Sequence, residues 1–154
     1  MLLLDNSAWS RILQGRISRQ RAREIREQLE ARQIGVCLPF LLEAGYSARS
    51  AADRKQMMGR LERFPRVVLD ADTDRLALDT QQELAEVGHH RLPPIDVMIA
   101  ACADRAEAGV LHYDADYDLL AKHTSLRFES VWLAPPGSLQ GRRPRSATPR
   151  PAAR

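Results

Sequence analysis

A chain of 154 residues with 44% apolar and 28% charged residues suits one soluble globular domain that buries about two-thirds of the surface its unfolded form exposes. No apolar run nears the roughly 20 residues of a membrane span, and Asp5 interrupts the only apolar N-terminal stretch, so neither a transmembrane helix nor a signal peptide is expected and cytoplasm is the expected location. The net charge of +3 is unevenly spread: residues 141–154 hold five arginines and no acid, which leaves 18 basic against 20 acidic residues, or −2, in positions 1–140. A folded domain over 1–136 and a basic, Pro/Arg-rich disordered tail over 137–154 follow from this division. Such a tail either adds non-specific attraction to nucleic acid or is a solvated terminus with no role. Cys37 and Cys102 lie in apolar segments without a CxxC partner and read as reduced core residues.

In chain order, Leu2 to Leu4 form an uninterrupted apolar run that suits a strand buried on both faces of a parallel sheet. Asp5 then falls at the carboxyl end of that strand, on the side where open α/β sheets hold their ligands. Ser7 is placed to cap a short helix from Ala8. A second helix is predicted over 18–31, with Ala22, Ile25 and Leu29 on one face and Arg19, Arg21, Arg23 and Arg26 on the others. Those arginines read as a solvated face or as a contact for RNA or a partner protein.

Residues 34–38 predict a short strand, and Pro39 opens a helix running to about Ser50. Glu43 is its only acid, emerging among Pro39, Phe40, Tyr46 and Ser47. It reads as a site residue or as a glutamate at the helix margin reaching solvent. A helix over 53–64, a strand over 66–69 and a helix over 72–87 closed by Gly88 come next. His89, His90 and Arg91 read as a solvated turn, with substrate contact the other reading, and no histidine has metal-ligand spacing to another ligand on a helix.

Pro93 and Pro94 set up the next helix, apolar nearly all round from Val97 to Ala103 and hence buried, with Asp96 in its first turn. The helix dipole alone accounts for an acid there, stabilising its charge by roughly 0.3–1 kcal/mol. Gly109 is expected to close this helix and residues 110–113 to form a strand. Asp114, Asp116 and Asp118 follow; Asp114 takes the same kind of position as Asp5, while Asp118 is expected to cap a helix over 117–121. The DxDxD spacing is not a calcium loop, because Leu119 and Ser125 stand where glycine and glutamate are required. A last strand is predicted over 130–133.

Together, two acids at strand ends (Asp5, Asp114) and two in the opening halves of helices (Glu43, Asp96) occupy positions that converge at one edge of a parallel sheet. Four such carboxylates need a compensating cation. All-oxygen ligation without His or Cys favours Mg²⁺ or Mn²⁺, a centre suited to phosphodiester hydrolysis. Ser7 is placed to hydrogen-bond a water on the metal or to orient Asp5.

The stretches LLLDNSAW, LPFLLEAGYSA around Glu43, PPIDVMIAACA and VLHYDADYDLLA resemble the four successive motifs of the PIN domain, in the form carried by VapC toxins of bacterial toxin-antitoxin pairs. The match covers about Leu2 to Leu133. The resemblance implies an α/β/α sandwich with a central, mostly parallel sheet, and a Mg²⁺- or Mn²⁺-dependent endoribonuclease acting on tRNA or ribosomal RNA. Asp5, Glu43, Asp96 and Asp114 are then the acidic site, Asp5, Asp96 and Asp114 the metal ligands, and Ser7 and Asp116 accessory residues. It also implies a homodimer inhibited by a small cognate antitoxin. Tyr117 departs from the phenylalanine frequent at its position. A haloacid-dehalogenase-like phosphatase is disfavoured, since it wants an aspartate where Ser7 stands; a non-catalytic module of the same fold that binds RNA or a partner is the other reading.

Overall fold

The computed structural model describes residues 1–139. Five strands, β1 (Leu2–Leu4), β2 (Ile34–Cys37), β3 (Arg66–Val67), β4 (Gly109–His112) and β5 (Ser130–Trp132), form one sheet in the order β3-β2-β1-β4-β5. Every neighbouring pair is parallel, with Leu2 opposite Ile34 on one side and Gly109 on the other. Parallel strands need long crossovers, and seven helices supply the chain between them: α1 (Asn6–Leu13), α2 (Arg19–Glu30), α3 (Leu38–Tyr46), α4 (Ala51–Leu61), α5 (Ala71–Glu86), α6 (Pro94–Arg105) and α7 (Asp116–His123). The expected α/β/α sandwich around a parallel sheet is what is found.

The central strands are apolar throughout because both faces are covered. Leu3, Leu4, Ile34, Val36, Val110 and Leu111 are all buried. Helix α6 is the innermost helix; Val97 and Ile99 to Ala103 are buried, and it packs on β1 and β4 as well as on α3, α5 and α7. It therefore carries Asp96 to the middle of the sheet edge. Cys37 and Cys102 are buried free thiols, as expected.

Several boundaries differ from the sequence expectation for local reasons. Asp5, not Ser7, caps α1: its carboxylate accepts the Ser7 amide at 2.8 Å. Helix α3 stops at Tyr46, and Ser50 caps α4 two residues before the expected start. Helix α6 closes at Ala106 with Glu107 in the left-handed conformation at φ 49°, so Gly109 does not close it and instead opens β4. The fold also extends past 136: the Leu139 amide donates to the Tyr113 hydroxyl at 2.7 Å and its side chain packs on the core. The rest of the expected tail, residues 140–154, lies outside the described residues.

Candidate active site

The order β3-β2-β1-β4-β5 places the reversal of strand order between β1 and β4, where ligands of open α/β sheets bind beyond the carboxyl ends of the strands. Asp5 follows β1 directly and Asp114 follows β4 after Tyr113. Asp96 arrives on the first turn of α6, Glu43 on α3 and Asp116 on the first turn of α7.

Asp5 is held from three sides. One carboxylate oxygen, Oδ2, takes the Ser7 amide and a short hydrogen bond from the Ser7 hydroxyl; the other, Oδ1, takes the Tyr117 hydroxyl at 2.9 Å. Ser7 Oγ in turn accepts the Tyr113 amide at 2.8 Å, so it ties the end of β1 to the end of β4. Through these contacts Ser7 meets both the Asp5 carboxylate and the end of β4. Tyr117 is fully buried, and its hydroxyl lies 3.5 Å from Asp96 Oδ1, bridging the two acids.

The remaining acids surround this pair. Burial pushes the Asp96 carboxyl up to about 7, with Asp5, then Asp114, Glu43 and Asp116 adding repulsion. Burial and Asp5 likewise raise Glu43, against a lowering contact from Asn6, and Glu43 Oε2 is buried with no hydrogen-bond partner. Asp116 is raised by burial and Asp114, while its amide donates to Asp114 Oδ1 at 3.1 Å. The five acids thus share one field. Asp118 does not join them and does not cap α7, whose cap is Ala115 without a side-chain bond. Its carboxylate turns outward to accept Ser130 Oγ at 2.5 Å and Trp132 Nε1 at 2.9 Å. Arg11 borders the site, its guanidinium 4.2 Å above the Tyr113 ring and donating to the Ser7 carbonyl at 2.7 Å.

A hard divalent cation fits this donor set. Every donor is a carboxylate, negative charge is in excess, and Glu43 keeps an unpartnered buried oxygen. Among the described residues no three of these side chains are drawn together into a ready-made cage; Mg²⁺ keeps several waters and needs only one or two protein carboxylates.

Tyr117, His112 and Ser130 were not expected among the residues that build the site. A signal for His112 exists in the sequence, since a histidine inside an apolar strand must find polar partners when buried. It is fully buried, with Nε2 2.7 Å from Ser130 Oγ and the Asp114 amide donating to Nδ1 at 3.2 Å. Burial lowers its pKa against the pull of Asp118, Asp5 and Asp114.

A parallel five-stranded sheet with acids gathered at its point of strand reversal is the architecture of a PIN-type domain. The chain belongs to the PIN-domain family, whose model matches residues 2–123, and to its VapC branch. It is 37% identical over 139 residues to Ribonuclease VapC18 of Mycobacterium tuberculosis, covering 88% of this chain and 97% of that protein. To Ribonuclease VapC51 of the same organism it is 34% identical over 138 residues, covering 89% and 96%. Among solved structures, the DNA-bound VapBC from Salmonella typhimurium matches with a TM-score of 0.67 at 23% identity, over 87% of this chain and all of that one. VapBC2 from Rickettsia felis, bound to a promoter DNA fragment, matches with a TM-score of 0.65 at 16% identity, over 83% and 96%. These two likenesses concern the fold.

Proposed function

We propose that the protein is a Mg²⁺- or Mn²⁺-dependent endoribonuclease, the toxin member of a toxin-antitoxin pair, working in the cytoplasm. The observation that carries the reading is the Asp5–Asp96 pair bridged by Tyr117, in which burial, reinforced by Asp5 and by Asp114, Glu43 and Asp116, pushes Asp96 up to about 7. Relatives named as ribonucleases over nearly their whole length support the substrate class.

Asp5, Asp96 and Asp114 are the residues that would hold the ion, with Glu43 the fourth acid of the site. A bound divalent cation supplies charge neutralisation at the phosphate and leaving oxygen and makes water a better nucleophile. The chain's own contribution is orientation. Ser7 and Tyr117 fix both oxygens of Asp5, and the Asp116 amide fixes one oxygen of Asp114. Burial, with Asp5 beside Glu43 and Asp114 beside Asp116, pushes both carboxyls up from their ordinary values, as expected of acids that crowd one site. Attack of water on phosphorus releases a 3′-hydroxyl and leaves a 5′-phosphate.

Two protein partners complete the proposal. Structural neighbours that are VapBC complexes support a small VapB-like antitoxin as inhibitor. The exposed apolar stripe of Leu38, Leu42 and Tyr46 along α3 supports homodimer formation through a second copy.

The test is cleavage of a mixed tRNA and ribosomal RNA pool by the antitoxin-free protein with Mg²⁺, Mn²⁺ or EDTA, beside Asp96→Asn. Cleavage that requires metal, falls at least about 100-fold in the variant and leaves 5′-phosphate ends is expected. A 2′,3′-cyclic phosphate product means that the ribose hydroxyl attacked and defeats the mechanism. Full activity of a folded Asp96→Asn protein defeats the site assignment, and RNA binding without cleavage in any metal favours the non-catalytic module.

A further inference from the structure

Behind the acids runs a directed chain of hydrogen bonds that crosses three elements. The Asp114 amide donates to His112 Nδ1 at 3.2 Å. Nδ1 must therefore be the unprotonated nitrogen, and Nε2 carries the proton and donates to Ser130 Oγ at 2.7 Å. With that acceptor site filled, the Ser130 hydroxyl gives its own proton to Asp118 Oδ1 at 2.5 Å, while Trp132 Nε1 steadies the other oxygen of Asp118 at 2.9 Å. Strand β4, strand β5 and helix α7 are locked together through one imidazole.

The same ring packs, tilted, against two aromatic rings, at 37° to that of Tyr117 and 58° to that of Trp132. Its centroid lies 4.8 Å from the ring of Tyr117 and 5.0 Å from that of Trp132. Tyr117 is the residue whose hydroxyl holds Asp5 and approaches Asp96. His112 thus touches the backbone of one site acid and the side chain that spans two others, yet reaches no substrate position itself.

We propose that His112, anchored by Ser130 and Asp118, is the positioning residue of the acidic centre: its Nδ1 fixes the backbone at Asp114, and its ring seats the tyrosine that holds Asp5. The inference rests on the metal-dependent reading given above. It is not a disguised Ser-His-Asp triad. In a triad the carboxylate accepts the N–H of one ring nitrogen so that the other is free to accept the serine proton. Here a backbone amide occupies Nδ1 and the hydrogen bonds run from His112 to Ser130 to Asp118, so His112 donates to Ser130 and has no free nitrogen to accept from it.

The role separates from simple core packing by the rank order of two variants of the full chain, purified free of antitoxin. His112→Phe keeps the aromatic contacts with Tyr117 and Trp132 but offers no acceptor to the Asp114 amide. His112→Asn keeps an acceptor at the Nδ1 position but gives up the ring contacts. Hydrogen exchange of the Asp114 amide, affinity for Mn²⁺ alone followed by the resonance of the free ion, and thermal unfolding are measured on each. The expected result is that Phe unfolds at the higher temperature of the two yet binds Mn²⁺ about tenfold more weakly than the parent and exchanges Asp114 quickly, while Asn stays within about threefold of the parent and protects that amide. If Phe matches the parent in both Mn²⁺ affinity and Asp114 protection, or if both properties simply follow thermal stability, the proposal is overturned. Failure of the metal-dependent reading looks different, as a parent protein that binds no Mn²⁺. Asp114 exchange then still decides: fast in Phe and slow in Asn upholds the anchoring, and any other order ends it.

Discussion

Asp96 shows how opposing effects of known size settle one side chain. Its place on the first turn of α6 favours the carboxylate by roughly 0.3–1 kcal/mol, yet its pKa rises from 3.8 to about 7, and each unit corresponds to about 1.36 kcal/mol. Burial and four neighbouring acids outweigh the helix dipole. The unfolded chain releases this proton near pH 4, while the folded, metal-free protein keeps it to about pH 7. Over that window the native state binds more protons, so stability falls as pH rises and the penalty is complete above it. Asp96→Asn cannot ionise. In EDTA at pH 8 it should be more stable than the parent by about 2 kcal/mol, discounted for relaxation of the neighbouring acids, and at pH 4 the two should coincide. Urea unfolding at the two pH values is the check; equal stabilities at pH 8 would mean that Asp96 is not held in this field.

At the scale of elements, the reading from residues succeeds where a signal is local and fails where the deciding group comes from elsewhere. The apolar runs of β1, β2 and β4, the Pro-led starts of α3 and α6 and the Gly88 stop of α5 were legible because each rests on residues within one turn. The Gly88 end is a Schellman cap, with Gly88 N–H to the Ala85 carbonyl at 3.2 Å and His89 N–H to that of Leu84 at 2.7 Å. Helix α6 uses the same cap with a glutamate: Glu107 bonds Asp104 at 3.0 Å and Ala108 bonds Ala103 at 2.8 Å. Looking for glycine there pointed to Gly109 instead. That glycine serves the sheet, because an added Cβ would stand 2.8 Å from Leu2 Cδ2 and 3.0 Å from the Glu129 carbonyl oxygen, and that carbonyl is fixed by the Val110 amide at 2.8 Å. The two positions should respond with opposite signs. Gly109→Ala is expected to destabilise by about 1–3 kcal/mol through strain across β1, β4 and β5, and Glu107→Gly to stabilise by about 0.5–1 kcal/mol by relieving the left-handed residue. Denaturant midpoints of the two variants measure this. Asp118 illustrates the other kind of miss: its partners Ser130 and Trp132 lie on β5, which no local pattern around Asp118 reveals.

The whole molecule explains why four acids, each a weak signal alone, could be expected to lie at one edge of the sheet. Strand ends and first helical turns fall on the same edge of a parallel sheet, so order along the chain was enough to gather Asp5, Glu43, Asp96 and Asp114, while the supports Tyr117 and His112 needed coordinates. The same scale poses a question of charge. The described residues, 1–139, carry a net −2 offered to a polyanion, and five arginines lie in residues 141–154. If those arginines neutralise phosphates, they set affinity without touching the acids. Each phosphate neutralised on a single strand contributes about 0.7 to the slope of log affinity against log salt. A chain ending at Leu139, which keeps the contact with Tyr113, should therefore unfold at the same temperature as the full chain, bind a single-stranded RNA more weakly at low salt, and show a slope shallower by up to about 3.5. Anisotropy of a labelled oligonucleotide, measured at several salt concentrations with Asp96→Asn in both lengths to prevent turnover, gives that slope. Equal slopes would make residues 140–154 a bystander and leave RNA attraction to the described surface, where Arg11 borders the acids beside Ser7.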